Sequence, residues 1–148
     1  MRLLNKVCII TGSSRGIGSY IAKAYAKEGA IVVVTYQSNK KKAEILAKEI
    51  GSNECHKLEV NSRKSIRALY RKIYLKYKRI DVLVNNAGVN KTNDFNKQTE
   101  KEWDEVINTD LNGVFKCCQE ALPYLKNGSK IINIGSLSGE YGGPRTPS

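Results

Sequence analysis

The sequence predicts an α/β fold, a doubly wound parallel sheet with helices on both faces, and three observations carry that prediction. Short apolar runs rich in β-branched residues recur along the chain, as in Val7-Cys8-Ile9-Ile10, Ile31-Val32-Val33-Val34 and Val82-Leu83-Val84. Runs of this length without polar alternation suit strands buried on both faces. Between them lie segments whose apolar residues repeat at helical spacing. The connections are short, so each helix returns the chain for a parallel neighbour through a right-handed crossover.

The first strand is residues 7–10, and Ile17, Ile21, Ala24 and Ala26 begin the helix behind it. Glu28-Gly29-Ala30 breaks that pattern before a second strand at 31–35. Ala43, Leu46, Ala47 and Ile50 mark the next helix, with Gly51 placed as a left-handed cap. A third, short strand is read at 55–58, and Ser62 is a good N-cap for a helix whose apolar face is Ile66, Leu69, Tyr70, Ile73 and Tyr77. The fourth strand is 81–85. After a polar loop at 90–98, Thr99-x-x-Glu102 is a capping box that opens another helix. Leu111, Val114, Phe115, Cys118, Leu122 and Leu125 continue a helical stripe, interrupted late by Pro123. Residues 130–134 are the fifth strand, and 135–148 read as a Gly-, Ser- and Pro-rich loop. The dinucleotide-binding version of this architecture, the Rossmann type, has six strands in the order 3-2-1-4-5-6. Five are present, so the expectation is one domain over residues 1–148 without its C-terminal part.

With 148 residues, 41% hydrophobic and 26% charged, the chain has material for one core and neither a disordered nor a fibrous composition. No apolar run is long enough to span a bilayer, and residues 1–6 lead straight into the first strand. A cytoplasmic address with no membrane partner is the resulting expectation. Cys8, Cys55, Cys117 and Cys118 show no metal-ligand spacing and read as free thiols, with no metal site expected. The formal charge of +11 is compatible with nucleic acid, an anionic cofactor or an acidic partner. The cations at 40–42, 48, 63–64, 67, 71–72, 76 and 78–79 fall where helices face water, and the simpler reading is solvated helix surface. No helix-turn-helix, zinc or basic-aromatic pattern supports nucleic-acid binding.

Thr11-Gly12-Ser13-Ser14-Arg15-Gly16-Ile17-Gly18 joins the first strand to the first helix. Strand, glycine turn and helix in that order form a phosphate cradle, because free N–H groups and the positive end of the dipole face an anion. The spacing is G-x-x-x-G-x-G. Alone, such a turn is a weak signal, and an ordinary strand-to-helix loop is the lesser alternative.

Together with three further motifs, this turn resembles the short-chain dehydrogenase/reductase family. Thr11 to Gly18 is similar to its T-G-x-x-x-G-I-G cofactor turn, and Asn85-Asn86-Ala87-Gly88 to its N-N-A-G motif. The segment around Asn108-Thr109-Asp110-Leu111-Asn112 is similar to the one bearing its helix-borne asparagine, and Ile132-Asn133-Ile134-Gly135-Ser136 to the strand leading to its catalytic serine. The resemblance covers the whole chain but only the N-terminal part of the family's domain. It implies that Thr11, Gly12, Ser14, Arg15, Gly16, Ile17, Gly18, Asn86, Ala87 and Gly88 bind the cofactor, and that Ser136 holds the substrate oxygen. The family's asparagine, which anchors a proton-relay water, aligns with Asp110. That is a departure, since a carboxylate cannot donate as the amide does. Ser138 is either beside the substrate or part of a turn. The family's proton-donating tyrosine and its lysine would fall just after Ser148, and Tyr141 comes too early to replace that tyrosine.

The cofactor expected is NADP(H) in preference to NAD(H). Where the family's NAD-binding members place an acid after the second strand, this chain has Tyr36, followed by Gln37 and Ser38, while Arg15 matches the base that meets the 2′-phosphate. Glu59 and Val60 stand at the adenine position, and His56 reads as a strand-edge residue. Within the family the sequence is most similar to 3-oxoacyl-(acyl-carrier-protein) reductases, which act in fatty-acid synthesis. The implied substrate is a small-molecule or carrier-bound carbonyl compound, and the full-length family form is a homo-oligomer. The alternative is a non-catalytic remnant that at most binds the dinucleotide, and in both readings the 148-residue chain is expected to be inactive.

Overall fold

Strands β1 (Val7–Ile10), β2 (Ile31–Tyr36), β3 (Glu54–Lys57), β4 (Val82–Asn85) and β5 (Lys130–Asn133) form one parallel sheet in a computed structural model that describes residues 1–91 and 94–137. Their order is β3-β2-β1-β4-β5. This is the Rossmann arrangement the alternation predicts, with the direction of strand progression reversing between β1 and β4. Strand β1 sits at the centre and all four of its residues are buried. Its side chains alternate between two cores. Val7 and Ile9 pack with Ile66, Leu69, Tyr70 and Ile73 of helix α3 (Arg63–Tyr77). Cys8 and Ile10 pack with Ala22 of α1 (Gly16–Lys27) and with Ala43, Leu46 and Ala47 of α2 (Lys40–Glu49). The helix caps obey their sequence signals: Ser62 accepts from Ser65 N, and Gly51 has φ +67.

The connection from β4 to β5 departs from a simple helical stripe. Helix α4 (Glu100–Val106) opens with the expected capping box, but Ile107–Gly113 is a π-helical turn, and only then does α5 (Val114–Ala121) begin. A π turn winds more residues per turn and shifts the phase of the helix beyond it. The buried side is Val106, Thr109, Gly113, Cys117 and Ala121. Leu111, Phe115 and Leu122, expected on the packing face, are 62%, 57% and 62% exposed. Every residue of β5 is likewise exposed, and no strand covers its outer edge among the described residues.

Two buried carboxylates at positions remote from the turn tie elements together, Asp81 across strands and Glu54 between β3 and α3. Asp81 Oδ2 accepts from Val7 N at 2.8 Å, Oδ1 receives Arg79, and the Asp81 carbonyl accepts from Lys130 N. One residue thus joins β1, β4 and β5. Glu54 accepts from Tyr77 OH at 2.8 Å, receives Lys76, and lies 2.6 Å from His56 Nε2. Burial alone would raise both pKa values. Arg79, the Val7 amide and Lys6 overcome it at Asp81, and Lys76, His56 and Tyr77 overcome it at Glu54, so both finish below their ordinary values. A carboxylate with a depressed folded-state pKa contributes stability above its unfolded pKa, about 4, and loses that contribution as pH falls through the folded value. The urea midpoint should therefore drop steeply between about pH 5 and pH 3, and Asp81→Asn with Glu54→Gln should flatten that slope. A slope unchanged by both substitutions would contradict this role.

Candidate functional site

At the carboxyl ends of β1 and β4, where the strand order reverses, a cleft of about 570 Å³ opens. Gly12 and Gly16 both adopt left-handed backbone, φ +65 and +56, so the turn between them folds tightly and brings Ser14 and Arg15 to the cleft wall. Arg15 occupies the N-cap of α1 but makes no side-chain cap, and the helix has no acid in its first turn. The dipole's positive end is left unopposed by any carboxylate of its own helix.

The strand ends are laced together beneath this turn. Thr11 is buried, and its Oγ1 accepts from Asn86 N and Ala87 N, each at 2.9 Å. Asn86 Nδ2 donates to Thr11 O at 2.9 Å and Gly12 O at 3.2 Å. Gly12 N in turn donates to Thr35 Oγ1 at 3.0 Å, and Thr35 N donates to Ser13 Oγ at 2.8 Å. A Cβ on Gly18 would lie 2.4 Å from Asn86 Nδ2, and one on Gly12 would lie 2.9 Å from Ala87 Cα. One on Gly16 would meet nothing within 4 Å. The three glycines thus differ: two permit close packing of the turn against β4, and the third leaves open space. A pyrophosphate fits that space by the chemistry of the donors around it.

Most of the expected cofactor residues line the cleft, namely Gly12, Ser14, Arg15, Gly16, Ile17, Ser38, Val60, Asn86, Ala87 and Gly88. Four expected positions do not. Thr11 and Gly18 are buried behind the turn and act on its shape. Tyr36 is half-buried against the α1–α2 core. Glu59 turns its carboxylate to Lys57 Nζ at 2.6 Å, because that cation is its neighbour on the strand end. The cleft also contains residues not expected from sequence. Lys42 lines it, although its place in a run with Lys40 and Lys41 predicts solvated surface, and Gln37, Asn39, Leu58, Val89 and Thr109 join it. Asn39 caps α2 by accepting from Lys42 N, which fixes where the lysine leaves the helix. Among the described residues no Asp or Glu lines the cleft.

Behind the cleft-lining Gly88 and Val89, and not itself part of the lining, Asp110 projects from the π turn. Its Oδ1 accepts from Val89 N at 2.9 Å, and a Cβ on Gly88 would lie 3.4 Å from both carboxylate oxygens. Burial of the carboxyl raises its pKa and the Val89 amide pulls it back only in part, leaving it above the ordinary aspartate value. Ser136 is exposed just beyond β5, on the same carboxyl-end side of the sheet, with Ile134 N donating to Asn85 O to carry the chain past β4. Ser138 and Tyr141 lie outside the described residues. His56 is on the opposite edge strand, β3, as expected. Among the described residues no group of three His, Cys, Asp or Glu could hold a metal ion, and no helix is long and apolar enough to cross a membrane.

A doubly wound sheet whose switch point opens on a glycine turn and an uncapped helix defines an α/β domain built to receive a phosphate-bearing ligand. The family model described as short chain dehydrogenase matches residues 6–148, and the chain belongs to the short-chain dehydrogenase/reductase family. It is 41% identical to the 3-oxoacyl-(acyl-carrier-protein) reductase FabG of Thermotoga maritima, over 97% of this chain and 61% of that protein. Among solved structures it is similar to a glucose/ribitol dehydrogenase of the family from Brucella melitensis, at TM-score 0.93 and 28% identity, over 99% of this chain and 63% of that one. A short chain dehydrogenase from Burkholderia cenocepacia in complex with NADP superposes at TM-score 0.88 and 27% identity, over 96% of this chain and 63% of that one. The chain therefore spans about three fifths of the length of these relatives.

Proposed function

We propose that residues 1–148 are the dinucleotide-binding portion of an NADPH-dependent reductase whose substrate is a 3-oxoacyl thioester. The observation that carries the cofactor assignment is the charge of the cleft: Arg15 and Lys42 line it and, among the described residues, no carboxylate does. A guanidinium and an ammonium together suit the 2′-phosphate of NADPH, whereas an acid there would select the free hydroxyl of NADH. The substrate class is supported by the relatives named as 3-oxoacyl-(acyl-carrier-protein) reductases.

When bound, the nicotinamide supplies a hydride. The chain's own residues orient and polarise. Backbone amides of the turn hold the pyrophosphate, and the Thr11–Asn86 lacing keeps β1 and β4 at the separation the cleft requires. Ser136 Oγ donates to the carbonyl oxygen as negative charge develops on it. Asp110 holds the backbone at Val89 and accepts from the water that a relay would use. No Tyr-x-x-x-Lys follows Ser136 within residues 137–148, so Ser136 is the group of these residues assigned to the carbonyl oxygen.

The test monitors absorbance at 340 nm with NADPH and acetoacetyl-pantetheine, alongside ligand-observed NMR. The 148-residue polypeptide should bind NADPH, and acetoacetyl-pantetheine should then bind in a manner weakened by Ser136→Ala, all without turnover. Turnover at a rate ordinary for an enzyme, or preferential binding of a steroid or pentitol, would contradict the proposal.

A further inference from the structure

Asparagine is followed by glycine at two places in the chain, Asn112-Gly113 and Asn127-Gly128. Such a pair is chemically labile, because glycine has no Cβ to keep its own amide nitrogen away from the side-chain carbonyl carbon of the asparagine before it. The fold treats the two pairs differently. Gly113 is buried in the π turn, and a Cβ there would lie 3.0 Å from Val60 Cγ2. Asn112 Nδ2 donates to Asn108 Oδ1 at 3.0 Å. Helical backbone holds the dihedrals on both sides of this peptide, so its nitrogen meets the asparagine Cγ only if the turn unwinds.

Asn127 and Gly128 are instead the two central residues of the turn that leads from α5 into β5. Ser129 N donates to Lys126 O at 2.9 Å, Gly128 has φ +88 and Asn127 keeps a negative φ, which defines a type II turn. Both residues are exposed. Among the described residues neither the Asn127 side chain nor the Gly128 amide has a hydrogen-bond partner, and a Cβ on Gly128 would meet nothing within 4 Å. The peptide between them can therefore rotate without displacing a neighbour. The flanks of the turn are structural. Ser129 Oγ accepts from Lys126 N at 3.0 Å and donates to Ile80 O at 3.1 Å, and Lys130 N donates to Asp81 O at 2.8 Å, so the turn sets where β5 begins against β4.

We propose that Asn127 is a site of spontaneous covalent modification in the folded protein and that Asn112 is not. Hydroxide takes the proton of the Gly128 amide, and the nitrogen attacks Asn127 Cγ. The new N–Cγ bond closes a cyclic imide as the Cγ–Nδ2 bond breaks, and ammonia leaves with a proton from water, which regenerates hydroxide. Water then opens the imide. Opening at Cγ gives aspartate in an unaltered backbone, and opening at the main-chain carbonyl carbon gives isoaspartate, with the chain running through Cγ. Nothing is oxidised or reduced, and the net change is one water taken up for one ammonia lost. Both products place a carboxylate between Lys126 and Lys130, but only isoaspartate lengthens the backbone, so Ser129 can no longer reach both Lys126 and Ile80. The modification thus loosens the start of the strand that leads to Ser136, and its carboxylate suits an S-adenosylmethionine-dependent isoaspartyl methyltransferase. None of this depends on the cleft or its cofactor.

The experiment ages the folded 148-residue chain in mildly alkaline buffer and cuts it with a glutamate-specific protease, since Glu120 lies between the two pairs. Mass spectrometry reads ammonia loss, and an isoaspartyl methyltransferase with a labelled methyl donor reads isoaspartate. Asn127 should convert about tenfold faster than Asn112 or more, and the two rates should converge in concentrated urea. Asn127→Gln should abolish the methylated product and leave the urea midpoint unchanged, because the side chain it replaces holds nothing. Hydrogen exchange at the Lys130 amide should quicken in the aged chain and not in Asn127→Asp. Conversion of Asn112 as fast as Asn127 in the folded chain, survival of Asn127 while the urea-unfolded chain converts, or exchange at Lys130 equal in aged and fresh chains would overturn the proposal.

Discussion

Gly18→Ala is expected to lower the stability of the fold by about 3 kcal/mol and to abolish dinucleotide binding. The added methyl would stand 2.4 Å from Asn86 Nδ2 and 2.9 Å from both Gly12 O and Ser13 Cα. Two of those neighbours are backbone. The third is an amide already fixed by two carbonyls, so relief requires breaking the bonds that join β1 to β4. Overpacking costs about 1–3 kcal/mol and an orphaned buried polar group about as much again. Gly16→Ala provides the contrast. Its Cβ meets no atom within 4 Å, and the φ of +56 costs only about 1–2 kcal/mol, but the methyl would occupy the space offered to the pyrophosphate. Urea unfolding and NADPH titration of the two variants should therefore separate: Gly18→Ala loses both properties, while Gly16→Ala loses mainly affinity. Equal stability of the two proteins would show that the turn is not packed as described.

Arg15→Glu combined with Lys42→Glu is expected to lower NADPH affinity about a hundredfold or more and to leave NADH affinity unchanged or improved. Charge-assisted hydrogen bonds contribute about 1.5–3 kcal/mol each, and every 1.4 kcal/mol is tenfold in affinity. Both side chains line the cleft and neither has an acidic partner among the described residues, so their replacement removes no structural ion pair there. The selectivity resides in the 2′-phosphate alone, and calorimetric titration with both dinucleotides isolates it. A parallel loss for NADPH and NADH would place the two cations on the shared pyrophosphate. Raising the salt concentration should erode the NADPH preference of the unsubstituted chain in the same direction.

Much of the fold is legible from residue patterns because the buried parallel sheet writes itself as uninterrupted apolar runs. Ile31 to Val34 and Val82 to Val84 leave no other comfortable reading, and Ser62, Thr99 and Gly51 punctuate the helices by their own chemistry. The turn from Thr11 to Gly18 is legible for the same reason, since few sequences tolerate glycine at two left-handed positions without needing it there. The failures also have physical causes. A hydrophobic stripe through Leu111, Phe115 and Leu122 assumes that the largest apolar side chains face the sheet, and these three are exposed. What packs instead are small residues: a Cβ on Gly113 would lie 3.0 Å from Val60 Cγ2, a close approach that a search for large apolar side chains passes over. Lys42 escapes a reading of residue patterns because nothing in a Lys-Lys-Lys run distinguishes the one that turns toward a cleft. Only the Asn39 cap, which sets the start of α2, carries that information. Glu59 fails for the converse reason, since its neighbour two residues back, Lys57, holds it away from the cleft. Thr35, the polar residue inside a buried strand that accepts from Gly12 N and donates to Ile10 O, is the visible signal of the lacing, and polarity at such a position is easily passed over.

The seat of the dinucleotide can be tested by recording backbone amide resonances of the isotopically labelled chain during titration with NADPH. Large, saturable shifts at Gly12, Ser14, Arg15, Gly16 and Gly88, with Lys64 and Arg71 on α3 unmoved, are the result expected of a pyrophosphate held at the start of α1. Saturation with the shifts centred elsewhere, or an absence of shifts at these amides at millimolar NADPH, would contradict it.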